Sequence, residues 1–191
     1  NQTIVTSGGA VTFAGGNATG SGYAEGLSGF AEGIRFFNAL SIDTSVKTNG
    51  VSTGGGNIIL RGKSFTTANA GWGAWGVGVD GVTTFDAGTG TIRIDGVSQV
   101  SVGDSYNMGV RFASNASMTS ASTSATAIYV TGTGGAAASS YAGGQGIRFE
   151  ASGNLLAATG VGGGIKLSGT GGSQVWAVVF QGGSILSSSG P

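Results

Sequence analysis

The sequence predicts an all-β chain wound as a β-solenoid, with coils near 18 residues grouped in doublets near 35. Three observations predict it. A short apolar–any–apolar pattern recurs along the chain. Glycine, serine, threonine, asparagine or aspartate follow each occurrence, and these residues favour turns. Glycine, 41 of 191 residues, also recurs too often for helix, where each interior glycine costs about 1 kcal/mol.

The apolar pairs, in order, are Val11/Phe13, Ile34/Phe36, Ile58/Leu60, Val77/Val79, Ile92/Ile94, Val110/Phe112, Ile128/Val130, Ile147/Phe149, Ile165/Leu167 and Val178/Phe180. From Val77 onward most first members stand 15 to 19 residues apart. Period 2 turns both apolar side chains of a pair inward and the middle residue outward. The pairs alternate in kind. GGGNIILRG, GTGTIRIDG and GGGIKLSG lead with glycine, and ATAIYVTG is a degraded member of the same kind. GVGVDG, MGVRFAS, QGIRFEAS and WAVVFQG are each followed by a second apolar stretch, such as Phe85, Met118, Leu155 with Leu156, or Ile185 with Leu186. Ile58, Ile92, Ile128 and Ile165 therefore start doublets at steps of 34, 36 and 37 residues.

A single coil cannot stand alone. Ordering about 18 residues costs roughly 18–36 kcal/mol of backbone entropy. Four buried apolar side chains return only about 6–12 kcal/mol. Stacked coils, each hydrogen-bonded to its neighbours, solve this. The stretch Ala24 to Leu40, weakened as a helix by glycines 26, 29 and 33, is expected to be an enlarged loop at about 20–33 on an early coil. One domain spans 1–191, less regular over 1–56 and regular over 57–189. Neither end carries an obvious polar cap, so flanking chain or end-to-end stacking is expected.

Composition excludes several functions. Without cysteine there is no disulfide framework and no thiolate metal site, and without histidine no imidazole catalysis. Eight basic and eight acidic residues cancel, which argues against a basic-patch nucleic-acid binder. No run of 18 apolar residues is present to form a transmembrane helix. No cofactor motif follows a strand and opens a helix, so no cofactor is expected.

The outward middle positions form a column containing Arg35, Arg93, Arg111, Arg148 and Lys166, five of the eight basic residues. Such a stripe would grip an anionic cell-surface glycan. Alternatively it is a solvated face whose charges are offset by Asp95 and Glu150. Aromatics precede the second-kind strands: Tyr23, Phe30, Trp72, Trp75, Tyr106, Tyr141 and Trp176. They would either offer a platform to sugar rings or fill a corner. Glycine neighbours single out Trp72 and Trp75 as the most exposed. The speculative ligand-binding set is thus Arg93, Arg111, Arg148, Lys166, Trp72 and Trp75. Among the acids, Asp80 and Asp95 fall on successive coils of one column, about 5 Å apart, a spacing that would suit a retaining glycosidase. A solvated ladder pair is the simpler account, and the expectation is no enzyme.

The lines GTGTIRIDG, GGGIKLSG and GVRFASNASMTSAST resemble the degenerate repeats of filamentous haemagglutinin-like bacterial exoproteins and related β-strand-repeat adhesins, over about Asn57 to Ser189. The resemblance implies a right-handed parallel β-helix in a secreted or cell-surface protein, acting as a shaft or adhesive filament. That family's NPNG-type secretion motif is not found here, nor is a calcium-binding nonapeptide. The partners it implies are cell-surface glycans, flanking chain, or further copies assembled end to end or side by side. A carbohydrate-binding or carbohydrate-cleaving domain and a self-assembling fibre subunit are the alternatives.

Overall fold

The computed structural model describes residues 2–16, 21–67, 73–101, 106–136, 143–172 and 175–190. Among them the chain is all-β, with no helix. It opens with β1 (Gln2–Val5), β2 (Val11–Phe13), β3 (Ala24–Glu25) and β4 (Ile34–Phe36). Next come β5 (Leu40–Asp43), a hairpin of β6 (Ser45–Thr48) and β7 (Val51–Gly55), then β8 (Ile58–Lys63) and β9 (Val77–Val79). The regular part continues with β10 (Thr83–Asp86), β11 (Ile92–Val97), β12 (Val110–Phe112), β13 (Ala116–Ser120), β14 (Ile128–Thr133) and β15 (Ile147–Phe149). It closes with β16 (Asn154–Ala158), β17 (Ile165–Thr170), β18 (Val178–Phe180) and β19 (Ser184–Ser188).

Apart from the antiparallel β6–β7 hairpin, these strands form three parallel sheets. Sheet I has the order β1-β5-β10-β13-β16-β19. Sheet II runs β2-β8-β11-β14-β17, with β3 also on β8, and sheet III runs β4-β9-β12-β15-β18. The chain visits the sheets in rotation and returns to each after one circuit. Equivalent residues pair: Ile58 with Ile92, Ile92 with Ile128, Ile128 with Ile165. From β8 to β17 the return distance on sheet II is therefore 34 to 37 residues, so the doublet is the circuit. The 18-residue step is the spacing from sheet II to sheet III, not a coil. Glycine-led pairs sit on sheet II and the others on sheet III. The second apolar stretch, which carries Ile42, Phe85, Met118 and Leu156 inward, supplies sheet I.

All ten apolar pairs turn toward one continuous core or its ends. Ile58, Leu60, Val77, Val79, Ile92, Ile94, Val110, Phe112, Ile128, Val130, Ile147 and Phe149 are fully buried. Phe112, Phe149 and Phe180 stack one circuit apart, with centroids 4.7 Å apart at each step. The early part of the chain is irregular in two places. Val11–Phe13 pairs with Ile58–Leu60 and Ala24–Glu25 with Gly62–Lys63, so the excursion leaves and re-enters a single strand position between residues 13 and 24. A second small excursion closes through Leu27 and Phe30.

Glycine has a specific place in this packing. Gly62, Gly96, Gly132 and Gly169 stand in register on sheet II. A Cβ on any of them would collide with the carbonyl oxygen of Gly76, Gly109, Gly146 or Ala177, just before a sheet III strand. Conversely, a Cβ on Gly76, Gly109 or Gly146 would strike the backbone at the end of a sheet II strand. Backbone thus packs on backbone where sheets II and III meet, and only glycine fits. No helix of the described residues is long and apolar enough to cross a membrane.

Candidate functional site

Register places the outward side chains of sheet III in two adjacent columns. The middle position of each strand gives Arg35, Gly78, Arg111, Arg148 and Val179. The residue after each strand is Phe37, Asp80, Ala113, Glu150 or Gln181. The charges interlock into a ladder. Arg35 binds Glu32 and Asp80, each at 2.7 Å. Arg111 reaches the other Asp80 oxygen at 2.8 Å. It also grips Glu150 with two parallel bonds, Nε to Oε1 at 3.0 Å and Nη2 to Oε2 at 2.8 Å. Arg148 lies 3.2 Å from Glu150 through Nε, and its Nη2 donates to Gln181 Oε1 at 2.8 Å. Three cations and three acids cancel along this face. Forked guanidinium–carboxylate pairs are the geometry arginine supplies best.

Gly78 leaves a gap in the cationic column, and Trp75 fills it. The ring lies over the Gly78 backbone, with the Arg35 and Arg111 guanidinium carbons 4.6 Å and 4.5 Å from ring centroids. Trp75 is therefore 3% exposed, which overturns the expectation that its glycine neighbours uncover it. They make room for it to lie down. Trp72, Tyr141 and Asp104 lie outside the described residues. Among the described residues of the aromatic set, Tyr106, Phe30 and Trp176 are exposed.

Arg93 and Lys166 stand elsewhere, on the outer face of sheet II, so the single basic column divides between two faces. There Arg93, Tyr129 and Lys166 follow one another in register, with the tyrosine ring between the cations at 5.6 Å and 5.2 Å. Arg93 Nε donates to Asp95 Oδ2 at 2.8 Å. That hydrogen bond holds the Arg93 guanidinium above its ordinary value. Arg61 approaches the same oxygen at 3.3 Å. Asp80 and Asp95 are thus on different sheets, each clamped by two arginines, and form no carboxylate pair. The 18-residue step suggested one column because strands of neighbouring sheets repeat the same pattern.

Every described acid is engaged. Besides the ladder and Asp95, Glu25 meets Lys63 at 3.2 Å and Asp86 meets Lys47 at 2.5 Å. Asp43 accepts from the Ser45 hydroxyl at 2.6 Å and the Ser45 N–H at 2.8 Å, and sits below the ordinary carboxylate range chiefly through the hydroxyl bond. Among the described residues no group of three histidine, cysteine or acidic side chains is placed to hold a metal ion.

Alongside the ladder a groove of about 310 Å³ opens on sheet III, lined by Trp75, Tyr106, Arg111, Arg148, Glu150 and Gln181. Of these, Arg111, Arg148 and Trp75 belong to the speculative set. Tyr106 stood out in the sequence as an aromatic before a strand. Gln181 carried no signal apart from its column. No family model, curated protein or solved structure matches the chain.

Proposed function

We propose that this chain is a β-solenoid forming a non-catalytic shaft segment of a secreted or cell-surface bacterial protein. The observation that carries the reading is the rotation of the chain through three parallel sheets in constant register. Each circuit pairs with the circuits before and after it, so length grows along one axis by repetition, as in repeat architectures. A strand, crossover and parallel strand in one sheet winds right-handed in nearly all proteins, which supports a right-handed coil. The acids held by cations or hydroxyls favour a structural surface over general acid–base chemistry. The resemblance of GTGTIRIDG and GGGIKLSG to adhesin repeats supports the extracellular location.

The test is electron microscopy of the native material, combined with antibody labelling of intact source cells. Rods rising about 4.8 Å per circuit, with label outside the cell, are expected. Compact particles without that repeat, or label confined to the cytoplasm, would overturn the reading.

A further inference from the structure

We propose that the sheet III groove binds a hexopyranose unit of a neutral oligosaccharide. Its volume, about 310 Å³, lies at the lower end of the ~300–1,000 Å³ range of small-molecule sites and admits a sugar ring. The lining has the two characters a pyranose needs. Tyr106, 46% exposed, lines the groove with the Arg148 guanidinium 5.7 Å from its ring, and offers aromatic surface to the apolar C–H side of a sugar. Arg148, Glu150 and Gln181 present donors and acceptors to its hydroxyl rim. These polar groups are already fixed in place, because Arg148 is 7% exposed and held by both Glu150 and Gln181. Little ordering is left to pay on binding.

Two further observations select the ligand. Arg111 and Arg148, the cations at the groove, are already paired with Asp80 and Glu150, so a polyanion must compete with those carboxylates there. The Trp75 indole N–H is buried without a hydrogen-bond acceptor among the described residues. A buried donor left unpaired is rare and calls for an explanation. A Cβ on Gly73 would strike the Tyr106 carbonyl as well as come within 2.7 Å of that nitrogen, so the glycine lets the Tyr106 backbone pack beside the indole edge. A sugar hydroxyl reaching that edge from the groove supplies the missing acceptor.

The proposal is independent of the shaft reading, since it concerns one outer face and not the length or location of the molecule. Titration calorimetry with maltohexaose, cellohexaose and mannohexaose as neutral probes tests it, with a heparin hexasaccharide as the anionic comparison. At least one neutral probe binds, and binding persists in about 1 M salt, where charges are screened beyond ~3 Å. Tyr106→Ala weakens it about 10-fold or more, Tyr106→Phe retains it, and Arg93→Ala, on the other face, leaves it unchanged. If no neutral probe binds at about 10 mM, a level corresponding to under ~3 kcal/mol, the proposal fails. It fails equally if Tyr106→Ala, shown folded by an unchanged Tm, binds as the parent does, or if only heparin binds.

Discussion

The indole ring of Trp75 lies against the bare backbone of Gly78, where an added Cβ would stand 2.6 Å from Cε3 of the ring. The tryptophan thereby serves as the side chain that its neighbour lacks. It separates Arg35 from Arg111, which would otherwise face each other across an empty slot. Gly78→Ala should evict the ring, costing about 1–3 kcal/mol as overpacking does and shifting tryptophan fluorescence to the red. In a Trp75→Ala background the same substitution should cost far less, a coupling that a double-mutant cycle measures.

Arg111 ties two circuits to its own, through Asp80 before it and Glu150 after it. Arg111→Lys keeps the charge and loses the fork, and should lower stability by about 1–2 kcal/mol in urea unfolding. Arg93→Lys, whose side chain is half exposed, should change stability by under about 0.5 kcal/mol.

The glycine columns predict a sharp contrast. Gly132→Ala drives a Cβ into the Gly146 carbonyl and should cost about 3 kcal/mol or more, because backbone must move. Gly183→Ala meets nothing within 4 Å and should be close to neutral. Thermal melting of the two variants checks both.

The phenylalanine stack grades burial along the core. Phe149→Ala removes a fully buried ring touching two others and should cost about 3–5 kcal/mol. Phe180 is 41% exposed, and Phe180→Ala should cost less than half as much.

The corner between β5 and β6 should respond to pH at both extremes. Asp43 is lowered chiefly by the Ser45 hydroxyl, so its contribution is present above the unfolded value near 3.8 and is lost as pH falls through the lower folded value. Lys47 is raised chiefly by its hydrogen bond to Asp86, so its contribution is present below 10.5 and is lost as pH rises through the higher folded value. Ser45→Ala should return the Asp43 carboxyl toward its ordinary value in an NMR titration. An unmoved titration would contradict the assignment.

Much of the fold was legible in residues, and the pairing was less so. Apolar side chains at i and i+2 declare a strand and its inner face, so the ten pairs were visible without coordinates. Which strand lies beside which depends on three-dimensional return, and Ile58 and Val77 look alike locally although they join different sheets. The alternation of glycine-led and other pairs was the signal that separates them. On the outer face the arginines were evident, but their partners were not. Asp80 reaches Arg35 and Arg111 only because circuits of 43 and 33 residues bring Ile34, Val77 and Val110 into line. Trp75 departs from the sequence expectation for a physical reason: glycine near a large ring suggests exposure, whereas glycine also creates the hollow in which a ring is buried.

The charge ladder bears on folding fidelity. A chain of similar circuits invites threading errors in which a strand docks one circuit out of step. If β12 docked on β4, skipping β9, Arg111 would meet Arg35 without Asp80 between them, and like charges placed side by side disfavour a sheet. Only the in-step arrangement places Asp80 between these two guanidinium groups. The ladder thus works as a set of page numbers, keeping near-identical leaves in order.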